Sequence, residues 1–425
     1  MKKRIVALLA MVLILPSMVA FAGGKQEAVG AAKELTLYWN PQHDYKAYNK
    51  VIDGFAAEYG FKINKQLFSW PDFKTKIKAD FVAGTVPDLI ETPPTWFLEY
   101  ATQDLLYELT DGIKSWPEHS DWFDATWKEV TYKDKIVGIK LHHTCFALFY
   151  NKDMFQKAGL DPGRGPKDLT EFEQYIDIID KKLGPDIKSF AFDPDGQFLL
   201  PFLASAETPD MVAADNKSAL GTPAIRDTLK RLQKVARSKK VVTADPGAQT
   251  GIAMAKMFIN EKLAMYISGP WDVGNIMTNA PNLKYGVAMP PHVASVEART
   301  LTAGTGLAIP KKSKYAKEAW ELIKRLTSVE TEVAATLEAG MLMPRKGWLK
   351  DPRISEIGSV KYFAPVLPYG VPFDVSVQRL GVPEITWTGS VFRKLYETMV
   401  YSDQDMDKAL DAYIEEANRL IKRKL

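Results

Sequence analysis

The chain has 425 residues, 46% hydrophobic and 25% charged, with a formal net charge of +3 and one cysteine. Lys2, Lys3 and Arg4 account for that excess, since without them 55 − 3 = 52 basic side chains face 52 acidic ones. A balanced surface carries no electrostatic footprint for nucleic acid, a lone thiol makes no internal disulfide, and a chain this long buries its cores without covalent staples.

The basic triplet precedes an apolar run from Ile5 to Leu15, which Pro16-Ser17 interrupts. Ala20-Phe21-Ala22 then puts small residues at the two positions a signal peptidase reads. This pattern predicts a secretory signal over 1–22; a membrane span needs about 20 apolar residues. No cysteine lies near the cleavage site, so a lipid anchor is not expected. The product is expected in the periplasm or outside the cell. Residues 23–34 read as a flexible leader.

Beyond the leader, LTLYW (35–39) predicts a strand. Tyr48, Val51, Ile52, Phe55 and Tyr59 recur at helical spacing over 45–59, and Gly60 stops that helix. A strand at 61–68, a helix near 72–83 and a buried strand at 86–91 follow. This β-α-β-α-β order predicts a mostly parallel sheet covered by helices. Helices are then expected at 96–106, 152–159, 168–184, 223–238, 247–259, 315–328 and 405–424. Extended chain is expected at 136–151 and 262–267. Thr170 is the expected cap of the 168–184 helix.

Catalytic signatures are missing. There is no G-x-S-x-G, no H-E-x-x-H and no P-loop. DPDGQF (193–198) lacks the closing Glu of a calcium loop. His142 and His143 are adjacent, but neighbours on an extended chain point to opposite faces, and no Cys/His cluster with zinc spacing accompanies them. No metal and no cofactor is expected. Cys145 reads as a small buried hydrophobe.

Six segments, in order, resemble the family 1 extracellular solute-binding proteins of ABC transporters, which include maltose-binding protein. They are VPDLIETPPTWFLEYATQDLLYELTD (86–111), LFYNKDMFQKAGLDP (148–162), FINEKLAMYISGPWDV (258–273), GTGLAIPKKSKYAKEAWELIKRL (304–326), AGMLMPRKG (339–347) and MDKALDAYIEEANRLI (406–421). The resemblance implies a two-lobed α/β fold with the ligand in the cleft between lobes. One lobe would hold 35–141 and 290–340, the other 142–289 and 341–425. It also implies a monomer that captures a carbohydrate by lobe closure and delivers it to a permease, with no enzymatic step. An exported glycosidase and a ligand-sensing subunit of the same fold are the alternatives.

Sugars offer flat C–H faces and rings of hydroxyls, which suit aromatic rings and placed polar groups. Trp271 follows the strand KLAMYI and the Gly269-Pro270 stop, and the resemblance aligns it with a sugar-stacking position. In the first lobe, Trp39, Asn40, Gln42 and His43 follow the first strand. Trp70 follows the second strand, and Glu91, Thr92 and Trp96 follow the third. His143 and Thr144 sit at the expected crossing between lobes. Trp387 and Arg393 lie in a segment resembling the family's late cleft contributors.

Overall fold

A computed structural model describes residues 33–194, 196–204, 208, 210–243 and 252–425. The expected signal and residues 23–32 of the expected leader lie outside the described residues, as do Asp195 and the start of the helix expected at 247. The first strand begins two residues earlier than expected, at Lys33, and runs to Trp39.

The first sheet has the order Phe61–Leu67, Lys33–Trp39, Leu89–Thr92, Gly306–Ala308, Ile139–Lys140. Its first three strands are parallel, with Lys33 opposite Phe61 and Trp39 opposite Leu67. Gly306–Ala308 is antiparallel to both its neighbours. The second sheet has the order Val241–Thr243, Lys188–Phe192, Leu263–Ser268, Ala147–Asn151, Tyr285–Ala288. There too the first three strands are parallel, while Ala147–Asn151 runs against both its neighbours. Four of the five strands in each sheet therefore run one way, as expected of mostly parallel sheets, and each sheet holds one opposed strand, Gly306–Ala308 in the first and Ala147–Asn151 in the second, which enters from the crossing.

Between the sheets lies a small third one, Gly370–Val371, Thr300–Ala303, Thr144–Cys145. The chain leaves the first sheet at Lys140, passes through this ladder, and enters the second at Ala147. It returns from Ala288 through Thr300–Ala303 to Gly306. The expected single extended run over 136–151 is thus cut into short strands, because its residues change sheet. The carbonyl of Thr305 accepts from the amides of Leu141 (2.8 Å) and His142 (3.0 Å), and the amide of His143 donates to Leu342 (3.0 Å), so three passages of chain are held together.

The helices form where the periodicity places them: Lys46–Tyr59, Leu169–Lys182, Pro223–Ala236, Ala316–Leu326 and Met406–Lys422. Asp168, not Thr170, caps the Leu169–Lys182 helix, by accepting from the amide of Glu171 at 2.9 Å. Thr170 instead accepts from Arg231. The short side chain of Asp reaches the free amides of the first turn. Ser390–Tyr401 and Val329–Ala339 are helices the sequence pattern had not been assigned. One core gathers Phe172, Phe190, Leu229, Phe392 and Leu410 of the second lobe. Another runs through the crossing, joining Leu37 and Ile309 to Leu342, Phe149 and Tyr266. Full burial of each such side chain contributes roughly 1.5–3 kcal/mol.

Gly304 is the tightest point of the crossing. Its φ is 113°, and a Cβ there would lie 2.1 Å from the carbonyl oxygen of His142. Gly304→Ala is expected to lose about 2 kcal/mol or more of stability, from the disfavoured backbone and the clash, read as a fall in the urea midpoint at unchanged slope.

Candidate functional site

The first strand ends at Asn40, whose Oδ1 accepts from the amide of Gln42 at 2.8 Å and starts the short turn Pro41–His43. Trp39 Nε1 donates to the carbonyl of His43 at 2.8 Å. These bonds fold the turn back so that His43 meets the third strand. There Glu91, with 0% exposure, accepts from the amide of Asn40 at 3.1 Å and lies 2.9 Å from Nδ1 of His43. A neutral ring in this bond carries its proton on Nδ1, which leaves Nε2 an acceptor.

His142 completes the floor. Its Nε2 is 2.8 Å from the Tyr48 hydroxyl, its Nδ1 is 2.8 Å from Oγ1 of Thr305, and its ring centre is 4.7 Å from that of His43. Burial pushes its pKa well below the ordinary value, with the nearby His43 and Lys140 adding to the effect. Trp70 and Tyr45 wall the cluster, their ring centres 5.9 and 6.0 Å from His43. Trp70 is only partly buried. It is backed by Phe73 in a stacked arrangement and by the edge of Trp96.

His143 points the other way. Its Nδ1 is 3.2 Å from Lys140 Nζ, which also donates to both oxygens of Glu129 at 2.8 Å and to the Ala303 carbonyl at 3.2 Å. Burial lowers the Lys140 pKa and raises that of Glu129, each opposed by the other's charge. This buried cluster ties the end of the first sheet to the crossing strand Thr300–Ala303.

On the second lobe, Gly269-Pro270 ends the strand Leu263–Ser268, and a helix, Trp271–Asn279, begins at once. The buried Asp272 accepts from the hydroxyls of Ser268 (2.6 Å) and Tyr266 (2.9 Å), which pins the helix start to the strand end. The Trp271 indole folds back over Gly269, where a Cβ would lie 2.2 Å from the ring. It meets Phe146 edge-on at 5.5 Å and stays partly exposed. Phe198 contacts the same Phe146 at 5.4 Å. Phe146 is four residue steps from His142, so the two backbones lie within about 14 Å of each other.

Several of the expected ligand residues lie buried. Trp39 is fully buried against Tyr48. Asn40 is buried and serves the turn, with its amide side chain donating to the Phe68 carbonyl. Thr92 is buried and its hydroxyl donates to Pro93. Trp96 is buried behind Trp70. Thr144 is buried in the crossing ladder. Glu91 and His143 are buried and hydrogen-bonded to protein groups. Gln42 and Arg393 are exposed, Arg393 donating to Glu397 one turn along its helix at 2.8 Å. Trp387 is partly buried against the second-lobe core. His142, Tyr45, Tyr48, Thr305, Phe146 and Phe198 were not in the expected set. Only His142 had a signal, since alternation puts one of two adjacent histidines on each face. Cys145 is buried, and burial raises its thiol pKa. A groove of about 800 Å³ on the first lobe, lined by Tyr107, Tyr132 and Trp320, contains none of these residues.

The first-sheet half also touches the C-terminal segment. Lys74 Nζ, over the ring of Trp96, donates to Oγ1 of Thr388 at 3.3 Å. The helix Val375–Leu380 packs on Pro94–Ala101. Asp374 sits at the start of the former helix; burial raises its carboxyl to about 7, against a lowering hydrogen bond from Gln378 and with a further raise from Asp210. Asp210, also raised by burial, to about 6, accepts from Ser376 Oγ at 2.6 Å.

The two sheets, the crossing and the two aromatic groups on either side of it frame the comparison with known proteins. Residues 50–356 match the profile of the bacterial extracellular solute-binding proteins. The chain belongs to that family. It is therefore an extracytoplasmic, non-catalytic binder, and the glycosidase alternative falls. A multiple sugar-binding protein of Streptococcus mutans is 25% identical over 68% of this chain and 70% of its own. An arabinooligosaccharide-binding protein of Bacillus subtilis is 22% identical over 76% of each. Among solved structures, an ABC transporter solute-binding protein of Thermotoga lettingae bound with α-D-tagatose has a TM-score of 0.78 at 23% identity, covering 92% of this chain and 100% of that one. The GacH receptor of Streptomyces glaucescens has a TM-score of 0.79 at 20% identity, covering 92% and 99%. The two-lobed fold is that of the maltose-binding-protein-like binders. No helix among the described residues of this family member is long and apolar enough to cross a membrane.

A carboxyl with a raised folded pKa stabilises the fold most below its unfolded value. That contribution is lost as pH rises through the folded value. For Asp374 the loss runs from about pH 4 to about 7. Asp374→Asn is expected to be more stable than wild type at pH 8 and to show a flatter stability–pH curve over this window. Urea unfolding at pH 4, 6 and 8 checks it; an equal effect at all three pH values counts against it.

Proposed function

We propose that this protein captures a neutral sugar or oligosaccharide between its lobes and hands it to the permease of an ABC importer. The observation that carries the reading is the pair of partly exposed indoles, Trp70 on the first lobe and Trp271 on the second. They flank a crossing short enough to set them against one small ligand. The exposed Gln42 and the free Nε2 of His43 supply hydrogen bonds to hydroxyls, while Trp387 and Arg393 extend the second-lobe side. The sugar-binding relatives support the ligand class. A phosphate ligand would need several converging Arg or Lys, whereas Lys140 and Lys74 are paired with Glu129 and Glu99.

In this reading the lobes, 35–141 with 290–340 and 142–289 with 341–425, close on the ligand because it binds the closed form better than the open one. The protein works as a monomer after export directed by residues 1–22.

A thermal-shift panel should give a rise in Tm with neutral mono- or oligosaccharides, by mass action, and none with amino acids or sugar phosphates. The reverse pattern would overturn the ligand class. Trp271→Ala should weaken binding of the responding sugar by about 2 kcal/mol, roughly thirtyfold. Its cost to unfolding stability should stay below the ~3–5 kcal/mol of a fully buried Trp. Calorimetry with urea unfolding separates the two.

A further inference from the structure

We propose that His43, Glu91 and His142 form a divalent-cation site at the floor of the cleft, with the donor set of zinc. The three side chains come from the turn after the first strand, the third strand and the crossing, and their donor atoms all lie within 4.8 Å of one another. Among the described residues no other three His, Cys, Asp or Glu side chains gather so closely.

Two nitrogens and a carboxylate oxygen suit Zn²⁺. Ca²⁺ and Mg²⁺ want six or more oxygens. Tetrahedral Zn²⁺ with bonds near 2.0–2.1 Å sets its donors roughly 3.4 Å apart. The His43–Glu91 separation of 2.9 Å lies just under that spacing, the other donor pairs lie within 4.8 Å, and coordination through Nδ1 of His43 moves that ring's proton to Nε2. The outer partners a metal ligand needs are in place. Thr305 Oγ1 holds Nδ1 of His142, which leaves Nε2 for the ion, and the Asn40 amide holds the far oxygen of Glu91, so that the near one, bonded to His43 Nδ1 in the metal-free site, coordinates once the ion displaces that proton. The Tyr48 hydroxyl, 2.8 Å from the inward Nε2, stands beside the ion as a further oxygen. The His43 side chain is 12% exposed, which gives an entry path from the cleft. Three protein ligands leave one position for water or for a hydroxyl of a bound molecule. The ion needs no sugar to bind, so the site stands apart from the ligand reading.

The test uses the full chain, stripped with a chelator, and Zn²⁺ or Co²⁺ alone. Calorimetry should show one Zn²⁺ per chain. His43→Ala and Glu91→Gln should each weaken it by more than about a hundredfold, and Thr305→Val by ~10–100-fold, as for an outer partner. His119→Ala, in another part of the first lobe, should leave it unchanged. Co²⁺ should give the intense visible absorption of a four- or five-coordinate ion. Circular dichroism confirms that each variant folds. Substoichiometric uptake, uptake indifferent to His43→Ala and Glu91→Gln, or a weak octahedral Co²⁺ spectrum overturns the proposal. A sugar panel run in chelator keeps the two readings separable: sugar response without zinc uptake sinks only the cation site, and zinc uptake without sugar response sinks only the sugar.

Discussion

The arrangement depends on the carbonyl oxygen of Thr305, which accepts the amides of both Leu141 and His142. This double bond fixes the outgoing and returning passages of chain against each other. Gly304 makes it possible, because any side chain there would strike the His142 carbonyl. The same contact that joins the lobes also aims His142 into the first-lobe floor and His143 away from it. Placement of the cleft residues follows from the hinge.

The polar groups near the crossing divide into two kinds. Lys140, Glu129 and His143 are buried and mutually satisfied, and they stiffen the junction. Removing one partner from such a cluster would leave an uncompensated buried charge, which costs several kcal/mol. Glu91, Asn40, Tyr48 and Thr305 are also buried, but each orients a histidine rather than another charge. The His43 ring is the member of that network that keeps some exposure. Aromatic groups show the same division: Trp96 and Trp39 are internal supports, while Trp70 and Trp271 keep part of their faces free.

Much of the fold was legible because it is periodic. Tyr48, Ile52 and Phe55 line one helix face, and Leu169, Phe172, Ile176 and Ile179 another. Spacing alone marks such faces. The crossing was not legible as short strands, since apolar content over 136–151 looks the same whether the strand stays in one sheet or changes sheets. The helix Ser390–Tyr401 escaped notice because the segment was weighed for its Trp and Arg rather than for Phe392, Leu395, Tyr396 and Met399, which recur at helical spacing.

By itself the sequence determined the α/β element order and the position of Trp271 after a strand end, because apolar spacing and Gly-Pro stops are local properties, and its ordered motifs carried the resemblance that implied two lobes. The tertiary structure alone decided which candidates are buried and which keep an exposed face. Trp39 and Trp70 look alike as residues that follow strands, yet one packs inward on Tyr48 and the other rests on Phe73 with part of its ring exposed. Glu91 reads from sequence as a sugar acceptor, and the fold gives its oxygens the Asn40 amide and the His43 ring as partners. The meeting of His43, Glu91 and His142 joins positions 48 and 94 residues away from Glu91 and Tyr48 respectively, and only the folded sheet brings such distant groups together.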